Sequence, residues 1–147
     1  ATALIVGFGA ACARTRAIRD ESVARVAKLR DRLETTLLDS IGGAHRNGGE
    51  SRLPNTCHMS FAHCDGNVLV ARLDLDGVSA SAGAACASGV AHASPVIDAL
   101  SLPAEYRDGS LRLSLGYETT ESDVNRAIHT IPCAVHAVRG AHLEVAR

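Results

Sequence analysis

Two residues of this chain combine a reactive side chain with a setting that suits its use. Cys86 sits in the run VSASAGAACASGV, residues 78–90, among Ser, Ala and Gly. Such a run buries too little apolar area to hold itself in a core, and Gly83 and Gly89 free the backbone on either side of the sulfur. The expected product is a mobile loop with an accessible thiol; access and a route to thiolate separate a reacting cysteine from a packing one. From composition alone, a nucleophile and a small-residue turn both stay open. Arg112 is the second residue. In residues 110–115, Leu111, Leu113 and Leu115 alternate with Ser110, Arg112 and Ser114, so a strand there puts the guanidinium on the face opposite the leucines. Its planar fork suits a carboxylate held by two parallel hydrogen bonds, and a plain strand-edge arginine is the other reading.

Other groups carry less. In CHMSFAHC, residues 57–64, alternation sends Cys57 and His63 to one face and His58 and Cys64 to the other, so four convergent metal ligands are not expected and no metal site is assigned. His92, six residues past Cys86, is a possible base for the thiol, with a solvated loop histidine as the ordinary reading. Cys12, Cys57, Cys64 and Cys133 lack a small-residue frame and read as buried or half-buried packing residues. Gly7-Phe8-Gly9 lacks the third glycine and the preceding strand of a dinucleotide turn.

The elements that must position these groups follow from periodicity. Residues 1–19 begin apolar and end basic, as a helix does. A second helical pattern starts at Asp20, capped by Asp20 or Ser22, with Val23, Val26, Leu33, Leu37 and Ile41 on one stripe and Gly42-Gly43 as its stop. Residues 44–51 read as a polar turn. Residues 55–63 alternate as a half-buried strand, with Cys57, Met59 and Phe61 opposite His58, Ser60 and Ala62. A short helix over 67–75 turns Val68, Leu69 and Leu73 inward, and Val78 and Ala80 suit a brief strand feeding the Cys86 loop. Ser94-Pro95 opens a helix packed through Val96, Ile97 and Leu100. Thr120 and Asp123 form a capping-box-like pair ahead of a last helix carrying Val124, Ile128, Ile131, Val135 and Val138, which Pro132 should kink or split.

The 147 residues suffice for one ordinary domain with a modest core. With 15 basic against 16 acidic residues there is no basic patch to argue for direct nucleic-acid binding, and no apolar run is long enough to span a bilayer. Five scattered cysteines, an odd number, and no secretory leader point to a reducing, cytoplasmic setting.

VSASAGAACASG resembles the active-site segment of cysteine desulfurases, pyridoxal-phosphate enzymes of the class V aminotransferase type, in the branch with a long cysteine-bearing loop. Further motifs follow in the same order: Arg52-Leu53-Pro54-Asn55-Thr56 is similar to the family's LPNT, and Leu73-Asp74-Leu75 with Gly77-Val78 to its LDLxGI/V step. Gly109 to Gly116, GSLRLSLG, is similar to GSIRFSLG, and Thr119-Thr120-Glu121 to a TTEE helix start.

The resemblance implies an α/β (α+β) architecture: the small C-terminal domain of a fold-type I pyridoxal-phosphate enzyme, an antiparallel sheet with helices packed on it. Residues 1–20, with IVGFGAA, would end the large cofactor domain, and residues 21–147 would be the small domain carrying the cysteine loop. It implies that Cys86 takes sulfur from L-cysteine as a persulfide, leaving L-alanine, and hands it to a sulfur-acceptor protein. Arg112 would hold the substrate carboxylate, and the intact protein would be a homodimer.

The family's cofactor lysine and most cofactor ligands come from segments upstream of this chain, whose one lysine, Lys28, lies mid-helix without a matching motif. No cofactor-binding residue is therefore assigned here, and the chain alone is expected to be inactive. Where the family's loop reads SSGSACTS, alanines at 82, 84 and 87 remove three hydroxyls. A selenocysteine lyase on the same fold, and a stand-alone sulfur-acceptor or scaffold-binding module, are the alternatives. Iron–sulfur assembly, tRNA thiolation and DNA phosphorothioation are all served by similar enzymes, and the residues do not choose among them.

Overall fold

A computed structural model describes residues 1–83 and 95–145, the side chains from His142 onward excepted. Helix α1 runs unbroken from Thr2 to Ser40. Asp20 and Ser22 lie inside it, so neither starts a helix; 1–19 and the pattern from Asp20 are one element. Val26, Leu29, Leu33 and Leu37 recur at three- and four-residue spacing and form its buried stripe. Val23, expected on that stripe, is exposed.

Four described strands follow: β1 (Ala44–Arg46), β2 (Thr56–Phe61), β3 (Ser81–Ala82) and β4 (Ser110–Ser114), in the order β1-β2-β4-β3, every pair antiparallel. Helices α2 (Gly66–Leu75), α3 (Pro95–Ala99), α4 (Ala104–Arg107) and α5 (Glu121–Val145) complete the described elements. One sheet face carries Cys57, Met59 and Phe61 of β2 and Leu111 and Leu113 of β4; it packs in one cluster with the stripe of α1, Leu69 and Leu73 of α2, and Val124, Ile131, Val135 and Val138 of α5. This is the expected antiparallel sheet with helices laid on it.

Several local expectations are corrected. Residues 44–46, read as turn, form β1, because the edge of β2 offers them a ladder from Ala44–Phe61 to Arg46–Met59. Strand β2 stops at Phe61: His63 takes φ 59° and points out, while Cys64 returns to the core. Alternation therefore does not reach Cys64. Strand β3 is Ser81–Ala82, since Val78 and Ala80 pack against the core from irregular backbone and the pairing with β4 begins after them. Val68 on α2 and Val96 on α3 are exposed; Leu69, Leu73 and Ile97 are the buried large apolar residues of those short helices, with Val70 partly buried against the core. Cys12 and Cys133, read as packing residues, are exposed on α1 and α5. Helix α5 continues through Pro132 without splitting, held by buried residues on both sides of the proline.

Two closures fix the register. Asp65 caps α2 by accepting the Asn67 and Val68 N–H groups, at 2.8 and 3.3 Å. At the start of β4, Phe61 N–H donates to Gly109 O at 3.0 Å, and a Cβ at Gly109 would stand 2.0 Å from Phe61 O. Only glycine lets the strands close there.

Candidate active site

Pleating places Thr56, His58 and Ser60 of β2, Ser110, Arg112 and Ser114 of β4, His45 of β1 and Ser81 of β3 on the face away from α1, α2 and α5. Burial along this face is graded. Ser60 and Ser110 are buried, near the end where the Tyr106 ring of α4 meets His45 at 5.6 Å; Arg112 and His58 are half-buried; Ser114 is exposed.

Arg112 sits at the centre of the sheet, directly opposite His58 on one side and Ser81 on the other. Its pairing state sets it apart. Among the described residues, Arg30, Arg46, Arg52, Arg112 and Arg139 are the arginines at least partly buried. Arg30 donates to Leu53 O and Asp31, Arg52 to Glu34 at 2.7 Å and Arg139 to Ala62 O and Gly42 O, while Arg46 lies 3.8 Å from Glu34. Arg112 alone of the five has neither a hydrogen bond nor an ion pair among the described residues. A half-desolvated cation without an anion is costly, and a planar guanidinium has the shape to take a carboxylate by two parallel hydrogen bonds.

Strand β3 leads out of the sheet beside this arginine. Gly83, at φ 54°, takes a left-handed conformation that suits glycine, and its N–H donates to Ser110 Oγ at 3.0 Å. Cys86, His92 and Ser94 lie outside the described residues.

The other thiols are set apart by environment. Burial, then the nearby Glu34 carboxylate, pushes the Cys57 thiol up to about 12. Burial also raises Cys64, with Arg139 opposing. His63 and Cys64 part company at the end of β2, and among the described residues no three His, Cys, Asp or Glu side chains are grouped to hold a metal. Alternation alone did not reveal His58 as part of the site: the residues give its face, but only the β2–β4 register gives its neighbour, Arg112. Its imidazole is held below the usual histidine range by burial first and by Arg112 second, and its Nε2 is buried without a hydrogen-bond partner.

The family described as aminotransferase class-V matches residues 1–127 of this sequence. The chain belongs to that family. It is 38% identical over 136 residues to a cysteine desulfurase of Gluconacetobacter diazotrophicus, covering 92% of this chain and 34% of the relative. It is 40% identical over 129 residues to an IscS-like cysteine desulfurase of Mycobacterium tuberculosis, covering 86% of this chain and 33% of that protein. The fold matches an X-ray structure of a NifS-like protein from Rickettsia africae with TM-score 0.75 at 23% identity, over 90% of this chain and 34% of that one. The chain thus spans about a third of the length of these relatives.

Class-V aminotransferases use pyridoxal phosphate, which is held as a Schiff base on a lysine. The residues here do not fit that group. The one lysine, Lys28, is exposed on α1, a helix whose buried stripe lies against the sheet face opposite Arg112.

Proposed function

We propose that this chain is the C-terminal, thiol-bearing part of a cysteine desulfurase, with residues 1–20 ending the large cofactor domain and 21–147 forming the small one. The observation that carries the reading is the unpaired, half-buried Arg112 guanidinium at the centre of the polar sheet face, beside the strand that leads to Cys86. Arg112 binds the carboxylate of L-cysteine through two parallel hydrogen bonds and so sets the direction of the substrate sulfur. Cys86 lies three residues on from Gly83, a covalent reach of about 11 Å. The Cys86 thiolate takes the sulfur: a sulfur–sulfur bond forms, the carbon–sulfur bond breaks and L-alanine leaves. Pyridoxal phosphate is held by parts of the longer protein outside this chain.

Exposed Leu4, Ile5, Val6 and Phe8 at the start of α1 support the domain assignment, since they have no packing partner among the described residues. In this reading the persulfide passes to a sulfur-acceptor protein, and the intact enzyme is a cytoplasmic homodimer.

The test is made on the full-length protein. Arg112→Ala raises KM for L-cysteine roughly 10- to 100-fold, the loss of a charge-assisted fork. Cys86→Ser abolishes the persulfide and alanine release while bound cofactor remains. Normal alanine yield from the serine variant, or an unchanged KM in the alanine variant, removes the respective residue from the reaction.

A further inference from the structure

Arg112 needs more than a strand to aim it. An arginine side chain has four rotatable bonds, and a guanidinium that swings freely gives up much of the advantage of a two-point grip on a carboxylate. Serines surround it on the sheet face: Ser110 and Ser114 on its own strand and Ser81 across on β3. Among the described residues none of them hydrogen-bonds to it, and Ser110 Oγ is engaged by Gly83 N–H. His58 is the exception in size and chemistry. It stands directly across the β2–β4 ladder, where paired Cα atoms are about 4.5–5.5 Å apart, so the two side chains rise together from the sheet.

The imidazole is also unfinished. Nε2 is buried from solvent and has no partner, a state that native structures avoid unless the group has a use. With the ring disfavoured from protonating by its burial and by the neighbouring cation, it is neutral at pH 7, and a neutral imidazole keeps one nitrogen as an acceptor. The group nearest in register is a fork of five N–H donors, two of which suffice for a carboxylate.

We propose that His58 is a positioning residue for Arg112: its Nε2 accepts a guanidinium N–H when the amino-acid carboxylate engages the fork, fixing the plane in which the substrate is held. The inference rests on the assignment of Arg112 to that carboxylate. No proton is transferred and no bond is made or broken by His58, so its signature is in substrate binding and not in turnover.

The experiment is steady-state desulfuration of L-cysteine by the full-length protein. His58→Leu is expected to raise KM about tenfold with kcat within about twofold, the loss of one hydrogen bond to a charged group. His58→Gln, whose amide reaches the place of Nε2 and keeps an acceptor there, restores KM to within about threefold. In an Arg112→Ala background His58→Leu adds nothing, because the group it orients is gone. Should the leucine variant fail to fold by circular dichroism, His58→Asn, which keeps an amide but stops short of the Nε2 position, carries the same expectation of raised KM.

Equal KM for glutamine and leucine variants, or effects that add fully to Arg112→Ala, would make His58 a packing residue and overturn the inference. If Arg112→Ala raises KM but His58→Leu does not, the inference fails alone. If neither raises it, the assignment of Arg112 fails first.

Discussion

The four cysteines among the described residues differ in burial, and Cys57 gives the sharpest figure. Its side chain is fully buried on β2, facing the helices, and its thiol is pushed up to about 12 from an ordinary 9.0. At pH 8 an ordinary thiol is about 9% thiolate, whereas one at about 12 is about 0.01%, roughly a thousandfold less. Alkylation consumes thiolate, so chemistry alone slows Cys57 about a thousandfold, and enclosure by the core slows it further. The assay is a timed iodoacetamide pulse at pH 8, quenched and digested, with each cysteine peptide quantified by mass spectrometry in folded protein and in denaturing urea. Cys57 should label at least about a thousandfold more slowly folded than denatured, while Cys133, exposed on α5, changes little. If folded Cys57 labels within about tenfold of its denatured rate, then either the helices do not cover this face of β2 or burial does not govern its ionisation.

Two further outcomes test the frame that holds the site. Gly109→Ala drives a Cβ onto Phe61 O, where the built atom stands 2.0 Å away, and backbone on both strands must move. The expected loss is about 3 kcal/mol, or roughly 10 °C in Tm by calorimetry, and an unchanged Tm would refute the close approach of β4 to β2. The second is a pH effect at the start of α5. Asp123 accepts the Thr120 N–H at 2.8 Å and the Thr120 hydroxyl at 2.7 Å, and these hydrogen bonds hold its carboxyl below the usual 3.8. A carboxyl depressed on folding stabilises above its unfolded value of 3.8 and loses that contribution as pH falls through the lower folded value. Parent protein should therefore melt above Asp123→Asn near neutral pH, with the gap closing below pH 3.8; a gap that widens on acidification would contradict the sign.

What the residues disclosed and what they withheld divide along physical lines. Long stripes were legible: Val26, Leu33 and Leu37 on α1, the leucines of β4 and the Thr120–Asp123 box each repeat a local rule often enough to stand alone. Short elements were not. Strand β1 is three residues and β3 two, and such pieces are strands only because β2 and β4 present free edges to them. The single turn of α4 carries no pattern at all, since four residues do not complete a period. Stripes read from sequence were also too wide, as exposed Val23 and Val68 show, because periodicity gives a direction but not how far the neighbouring element extends. The site was half legible. Alternation gave the face of Arg112, but its neighbours, His58 far upstream and Ser81, come from a register fixed by closures such as Phe61 with Gly109.

That register explains why Arg112 can be tested without dismantling the domain. Along β4 the anchoring residues and the chemical one alternate: Leu111 and Leu113 are buried among the helices, and Arg112 between them points the other way. A strand's period of two thus separates the side chains that hold β4 in place from the guanidinium proposed to take the substrate carboxylate. Replacing a leucine there removes core and should cost about 2–5 kcal/mol, whereas replacing Arg112 removes a cation that has no partner among the described residues. Arg112→Ala should therefore leave Tm within about 2 °C of the parent or raise it slightly, because no ion pair is broken and a half-buried charge is relieved. A fall comparable to that from Leu111→Ala would mean that the guanidinium is part of the packing, and the case for a substrate carboxylate would lose its footing.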